Sequence, residues 1–307
     1  MKFKQFVVEN ISDIRFDRYL KKLYPNITQG IIEKNLRTGK IKLNNKKTLS
    51  NRRIKAGDIV LIDLILDTEY KNLSNQHKHF EPNIISLADK LINEYKLFAS
   101  DDILIINKPH NLAVQGGSKI NLSIDHALLY LNHQYNTDYK LVHRLDKATS
   151  GILLIAKNYE VAKKITACFS DKLIQKTYMA ILASVPKKPY GIISNKIEKV
   201  ASIGKEKMVL SPSGKLAETI YNVLNNNGNY SLVEFTPLTG RMHQLRIHSQ
   251  LLACPIVGDN KYGGPKYQRM LLHAFRIFLP SEILGYEIKI EAPLPQIFNK
   301  FFLSCDR

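Results

Sequence analysis

The sequence predicts an α+β protein in two parts, a small module of helices and short strands followed by a much longer domain. Three features of the sequence carry this expectation. Helix-spaced apolar residues and then short strands fill the first part, and a polar stretch with little periodicity separates it from the second. Beyond that stretch, strands succeed one another without the regular alternation with helices that a doubly wound parallel sheet requires. At 307 residues, 44% of them hydrophobic and 9% aromatic, the chain can bury a sizeable core in two domains, and wholesale disorder is excluded.

The first part spans residues 14–70. Residues 16–24 (FDRYLKKLY) place apolar side chains at helical spacing and stop at Pro25. Residues 28–37 form a second expected helix, with Thr28 as N-cap and Gly39 as terminator. Short strands at 40–43 and 58–63 follow, with turns at Asn44-Asn45 and Ala56-Gly57. Residues 71–92 read as a linker, and 93–307 as the long domain. There DDILIINKP is a buried strand, residues 123–133 a helix and residues 151–156 a strand. Asn158 caps an amphipathic helix over 158–171, and Asn225–Asn227 marks a hairpin loop.

Lys and Arg number 45 against 27 Asp and Glu, a formal net charge of +18 that suits a polyanionic partner. The abundance of Lys, Asn and Ile also suits an AT-rich genome, so charge alone names no partner. Cys168, Cys254 and Cys305 lie far apart without a CxxC pair, which points away from a zinc knuckle or disulfide framework and toward a reducing compartment. His77 and His79 have no further ligand nearby, so no metal site is expected. The opening MKFKQFVVENISD has no apolar run of signal-peptide length, and the most apolar stretches are strand-sized. A soluble, cytoplasmic protein is expected.

Nine Lys or Arg and no acidic residue occur from Lys34 to Lys55. In isolation such a run is equally a solvated face. Set after two helices, GKIKLNNKKTLSNRRIKAGD resembles the S4 RNA-binding domain, whose helix pair and following hairpin present a basic surface to structured RNA. The resemblance makes Arg18, Lys34, Arg37, Lys40, Lys42 and Arg53 candidate phosphate contacts, which position RNA without reading its sequence.

Residues 143–151 (HRLDKATSG) put Asp146 between two cations in a polar loop that feeds an apolar strand. On charge pattern alone this describes an ordinary loop ion pair with Arg144 or Lys147 as well as a reactive carboxylate. The whole string, continued by ILLIAK, resembles the signature of the RluA-type pseudouridine synthases. Further elements of that family follow in order: Lys176-Thr177-Tyr178, Gly214 to Thr219 (GKLAET), Thr239 to His248 (TGRMHQLRIH), Pro255 with Gly258-Asp259 and Tyr262-Gly263, and Leu272-His273-Ala274.

The resemblance implies a catalytic domain on a mixed, mainly antiparallel sheet. It also implies an isomerase that breaks a uridine's glycosidic bond, rotates the base and rejoins it through C5. No atoms are gained or lost, so neither cofactor nor metal is needed; the sequence has no P-loop or dinucleotide-binding glycine pattern. Asp146 is the implied catalytic carboxylate, Arg241 its ionic partner, and Tyr178 the aromatic that stacks on the uracil. Taken alone, Tyr178 reads first as a core aromatic. His143 and His243 invite an acid–base reading, but the resemblance implies that they are structural or contact RNA; Arg144 is implied to order the catalytic loop or touch RNA, and Arg246 and His248 stay outside the catalytic set. Access to such a pocket implies base flipping.

Residues 107–118 (NKPHNLAVQGGS) resemble the string of the RluC branch, which acts on 23S ribosomal RNA, with Asn111 for a glycine and Gln115 for a histidine. Asn tolerates a left-handed backbone, so the turn is expected to survive. A monomer acting on 23S rRNA is the resulting expectation. The same chemistry on other rRNA sites or on tRNA, and a non-catalytic RNA-binding or ribosome-assembly role, are the alternatives.

Overall fold

The computed structural model describes residues 2–9, 13–24, 27–75, 80–117, 120–202 and 205–302. The chain divides into two compact units, Met1–His79 and Phe80–Arg307.

In the first unit β1 (Phe3–Val7) and β2 (Ile14–Arg15) precede α1 (Phe16–Leu23) and α2 (Gln29–Thr38). β3 (Ile41–Leu43), β4 (Arg53–Ile54), β5 (Ile59–Asp63) and α3 (Leu64–Asn75) complete it. Phe16, Tyr19 and Leu20 on α1 and Ile32 and Leu36 on α2 share one core with Ile41, Val60 and Ile62 of the sheet. That sheet has the order β1-β5-β3, all antiparallel, and β2 pairs with β4. Thr28 caps α2 by accepting from Ile31 N, and Gly39 ends it in the left-handed conformation. Asn44 and Asn45 both have positive φ, as the tight turn out of β3 requires.

The linker expected at 71–92 is largely helical. α3 runs to Asn75, and α4 (Pro82–Asn93) belongs to the second unit, where Leu87, Ala88 and Leu91 are buried. The polar outward faces of these helices hid a narrow apolar stripe, and β1 extends the first unit upstream of residue 14. His77 and His79 lie outside the described residues.

The second unit continues with β6 (Lys96–Ala99), β7 (Ile103–Lys108), α5 (Ile124–Tyr135), β8 (Lys140–Leu141), β9 (Ser150–Ala156) and α6 (Tyr159–Ser170). Then come β10 (Gln175–Leu182), β11 (Tyr190–Ser202), β12 (Lys205–Leu210), β13 (Lys215–Asn226) and β14 (Ser231–Pro237). α7 (Gln244–Leu251), β15 (Leu272–Leu279), α8 (Ser281–Leu284), β16 (Ile288–Glu291) and a 3₁₀ turn (Gln296–Phe301) close it. Among the described residues the strands form one sheet with the path β12-β11-β13-β14-β10-β15-β9-β7-β6; β16 is added on β15 and β8 on β9. Of the described pairs in this sheet, β9 with β15 is parallel and the others are antiparallel.

β9 is buried along its whole length, and α4, α5 and α6 contribute Leu91, Leu128 and Ile165 to the core around it. On β10 the period of two divides the side chains. Tyr178, Ala180 and Leu182 join the cluster that includes Leu245 of α7, while Met179 and Ile181 pack with Phe298 of the 3₁₀ turn. Tyr178 is thereby directed to the α7 side of the sheet, which prepares the site.

Candidate active site

Where β9 and β15 meet, Ser150 stands opposite His273 and Gly151 opposite Ala274. A β-carbon at Gly151 would lie 2.2 Å from the Ala274 carbonyl oxygen, and its φ is +106°, so only glycine fits. The Ser150 hydroxyl is hydrogen-bonded to His273 Nδ1 at 2.9 Å and accepts from Arg269 Nη2. The TSG and LHA strings are therefore two sides of one strand contact, and that contact anchors the end of the loop carrying Asp146.

The rest of that loop is fixed from beneath. Leu145 and Val142 are buried in the main core, and the Asp146 main-chain carbonyl closes a turn by accepting from Thr149 N at 3.1 Å. The fully buried Lys108 sends its ammonium to the carbonyls of Pro109 and Leu112, each at 2.9 Å, and of Lys147 at 3.3 Å. Burial pulls its pKa down to about 7, and the charge of Asp146 opposes that pull. Next to it Asn111 takes a φ of +60°, the left-handed turn that asparagine was expected to tolerate.

Facing Asp146 is α7, whose N-cap His243 is itself left-handed at φ +53°. Arg246 holds the buried Asp259 bidentately, at 2.7 Å from Nε and 2.6 Å from Nη2, and extends Nη1 to Asp146 Oδ2 at 3.4 Å. Burial works against the Arg246 charge, but Asp259 and then Asp146 outweigh it and hold its pKa above the ordinary value. The guanidinium also lies 4.9 Å over the Tyr262 ring.

The ionic partner of Asp146 is thus Arg246, not Arg241. Arg241 precedes the helix, is exposed, and donates from Nε to the Leu216 carbonyl at 2.9 Å. Helix α7 carries Arg246 onto its buried face, which the string TGRMHQLRIH does not reveal by spacing alone. Gln244 and Thr239 knit this segment to β13. Gln244 Nε2 donates to the Glu218 carbonyl and Thr219 Oγ1, and its Oε1 accepts from Thr239 Oγ1 and Arg241 N.

These groups open on a cleft of about 890 Å³, lined among others by Asp146, Phe169, Lys176, Tyr178, Arg241 and His243. Burial, with the charge of Asp146 added, raises the Tyr178 pKa well above its usual value, so the phenol is neutral at physiological pH. Lys176 brings its ammonium 5.3 Å over the Phe169 ring, at the cost of a pKa lowered by burial.

Of the two roles implied for His143, structural or RNA-contacting, its hydrogen bond and ring contact are those of the structural one. Its Nε2 accepts the Leu154 amide at 2.8 Å and its ring packs on Phe169, so it braces β9 as a neutral imidazole; burial, with Lys176 adding, lowers its pKa to about 3. Arg144 is exposed beside the cleft, as an RNA contact would be. In the first unit Arg18, Lys34, Arg37 and Lys40 are exposed, and Lys42 lies over the Phe3 ring at 4.7 Å. Arg53 is engaged by Asp13 at 2.6 Å.

Sequence reasoning gave no role to Lys108, Lys176, Asp259 and Tyr262, took His243 as structural or RNA-contacting, and left Arg246 outside the catalytic set. All six lie inside the motifs, and the signal available was that polar residues spaced along one motif converge in space; the pairing itself is tertiary.

An antiparallel sheet with a carboxylate, a buried arginine and an aromatic around one cleft is the arrangement of a pseudouridine-forming enzyme. The family model for RNA pseudouridylate synthases matches residues 102–251, which contain all three groups. The chain belongs to that family and is an isomerase that converts uridine to pseudouridine. It is 49% identical to the ribosomal large subunit pseudouridine synthase C of Rickettsia typhi, covering 93% of this chain and 95% of that one. It is 32% identical to the protein of the same name from Buchnera aphidicola, with 95% and 94% covered. Among solved structures, human RNA pseudouridylate synthase domain containing 4 superposes with a TM-score of 0.59 at 29% identity, covering 70% of this chain and 94% of that one.

Proposed function

We propose that this isomerase acts on uridines of large-subunit (23S) ribosomal RNA, with Asp146 as its essential carboxylate and the target nucleotide flipped into the cleft. The observation that carries the reading is the Asp146–Arg246–Asp259 chain. It sets a carboxylate with a fixed cationic partner in the cleft that Tyr178 also lines, on the α7 side of the sheet. In the reaction the N1–C1′ bond breaks, the C5–C1′ bond forms, C5 loses a proton and N1 gains one. Asp146 is the carboxylate on which glycosidic cleavage depends, and the neutral Tyr178 ring holds the detached uracil by stacking. Base flipping brings the nucleotide out of its helix at a cost of a few kcal/mol.

The relatives named for the ribosomal large subunit, similar over nearly the whole chain, support the substrate class. The first unit acts in this reading as an S4-like RNA-docking module, its phosphate contacts drawn from Arg18, Lys34, Arg37 and Lys40, with lesser parts for Lys42 and Arg53. Arg144 and Arg241 serve RNA at the cleft rim. The enzyme works without cofactor or metal, as a monomer, in the cytoplasm.

The test is pseudouridine mapping in total RNA from cells lacking the protein and complemented with either the wild-type or the Asp146→Asn gene. Sites in 23S rRNA should vanish in the deletion and return with the wild type alone. Return with Asp146→Asn would overturn the role of the carboxylate, and losses confined to tRNA or small-subunit rRNA would overturn the substrate.

A further inference from the structure

We infer that His243 is a positioning residue for Asp146, which with Arg246 pins carboxylate oxygen Oδ2 and leaves Oδ1 as the oxygen that meets the nucleotide. The inference rests on the reading of Asp146 as the catalytic carboxylate. Arg246 Nη1 approaches Oδ2 at 3.4 Å and His243 Nε2 approaches the same atom at 3.7 Å. Among the described residues Oδ1 has no hydrogen-bond or ion-pair partner.

The tautomer of His243 follows from its other nitrogen. Nδ1 lies 2.8 Å from the Tyr262 hydroxyl, and that hydroxyl already accepts the Met208 amide at 3.0 Å. Tyr262 is 1% exposed, so its own proton needs an acceptor, and Nδ1 is the atom in reach. His243 Nε2 therefore carries the hydrogen and directs it at Asp146. Burial, opposed by Asp146 and reinforced by Arg246 and Lys261, lowers the His243 pKa, which keeps this neutral tautomer in place at physiological pH. His243 is left-handed at φ +53°, a conformation that costs about 1 kcal/mol or more in a residue other than glycine or asparagine. From this backbone position the ring reaches Tyr262 through Nδ1 and Asp146 through Nε2.

Two substitutions separate positioning from support of the fold. His243→Asn suits the left-handed backbone and can still accept from Tyr262 through its side-chain oxygen, but it has no atom where Nε2 stood. His243→Gln reaches that place with an amide N–H. With rRNA as substrate, His243→Asn should lower kcat about 10- to 100-fold while KM stays put, and His243→Gln should recover most of the rate. Losing a donor to the ionised carboxylate should also move the acidic limb of kcat to higher pH in His243→Asn and not in His243→Gln.

The charged and titratable groups facing this pair are Lys108, Tyr178, Arg246, Asp259, Lys261 and Tyr262, all unchanged between the two variants. Tyr262→Phe, which frees the His243 tautomer, should shift the limb the same way by less. It supplies the reading if His243→Asn fails to give the wild-type melting curve. A wild-type kcat in His243→Asn, a loss confined to KM, or equal losses in both variants with an unmoved limb would overturn the inference. Asp146→Asn, run alongside, distinguishes the failures. If it stays active the reading of Asp146 falls, and if it is inactive while His243→Asn is unimpaired the present inference alone falls.

Discussion

In the first unit Arg18, Lys34, Arg37 and Lys40 extend into solvent, whereas in the second Lys108 is completely buried and Arg246 is 8% exposed. Among the described residues no carboxylate forms an ion pair with the side chains of these exposed cations. Each buried one is held by two or three acceptors, Lys108 by backbone carbonyls and Arg246 by Asp259 and Asp146. An exposed charge attracts any polyanion and is screened by salt. A buried charge is costly to desolvate and persists only with directional partners, so it fixes atoms in place. The same residue types are thus placed where they can meet a polyanion in one unit and where they fix geometry in the other.

The sharpest way to break this contrast is to compare two arginines of one string. Arg246→Lys keeps the charge but cannot span Asp259 and Asp146 with a planar fork, so kcat should fall about 100-fold. Arg241→Lys keeps an exposed cation near the Leu216 carbonyl, and kcat should change by less than about fivefold, any effect appearing in KM. Equal losses in both, measured by single-turnover pseudouridine formation, would mean that burial does not separate their roles.

A second comparison concerns acid. His143, His248 and His273 are held neutral in the second unit, their pKa values lowered by burial to about 3, 4 and 4. Below pH 6.5 the unfolded chain binds these protons and the folded one does not, so stability present above pH 6.5 is lost as pH falls toward 4. For His248 and His273, both fully buried, the loss is of the order of 3 kcal/mol each. Melting temperatures between pH 7 and 4 should fall steeply, and His273→Gln should fall less steeply than the wild type. A flat profile would show that the buried imidazoles carry no such cost.

How legible was this in the sequence? The elements around the site were readable wherever a local rule governs them. Thr28, Ser123 and Asn158 cap helices as their residue types suggest, and Gly39 and Asn111 take the left-handed turns expected of them. The order of motifs pointed to the family, and the cleft does bring Asp146, Tyr178 and Arg241 to one place. What stayed hidden was pairing. Nothing in local spacing says that Ser150 and Gly151 meet His273 and Ala274 across a parallel pair, or that Arg246 takes the place assigned to Arg241. The helices α3 and α4 were lost to a linker because their buried residues are few and their outer faces polar.

The smallest expected effect lies on the solvent side of the contrast. Each cation that touches an RNA phosphate releases about one counterion on binding, so replacing Lys34 and Arg37 together by Gln should reduce the slope of log affinity against log salt by about 2. Affinity for an rRNA fragment at low salt should drop several-fold, with kcat at saturating RNA unchanged, because neither side chain lies in the unit that holds Asp146. Arg53→Gln is the internal control. Its guanidinium is already occupied by Asp13, so it should alter the slope less than either Lys34 or Arg37 taken singly. If filter binding across a salt series gives the same slope for the wild type and the double variant, the basic run is a solvated face and RNA docks elsewhere. If kcat falls as well, the first unit does more than capture RNA, and exposed charge is then part of the catalytic geometry after all.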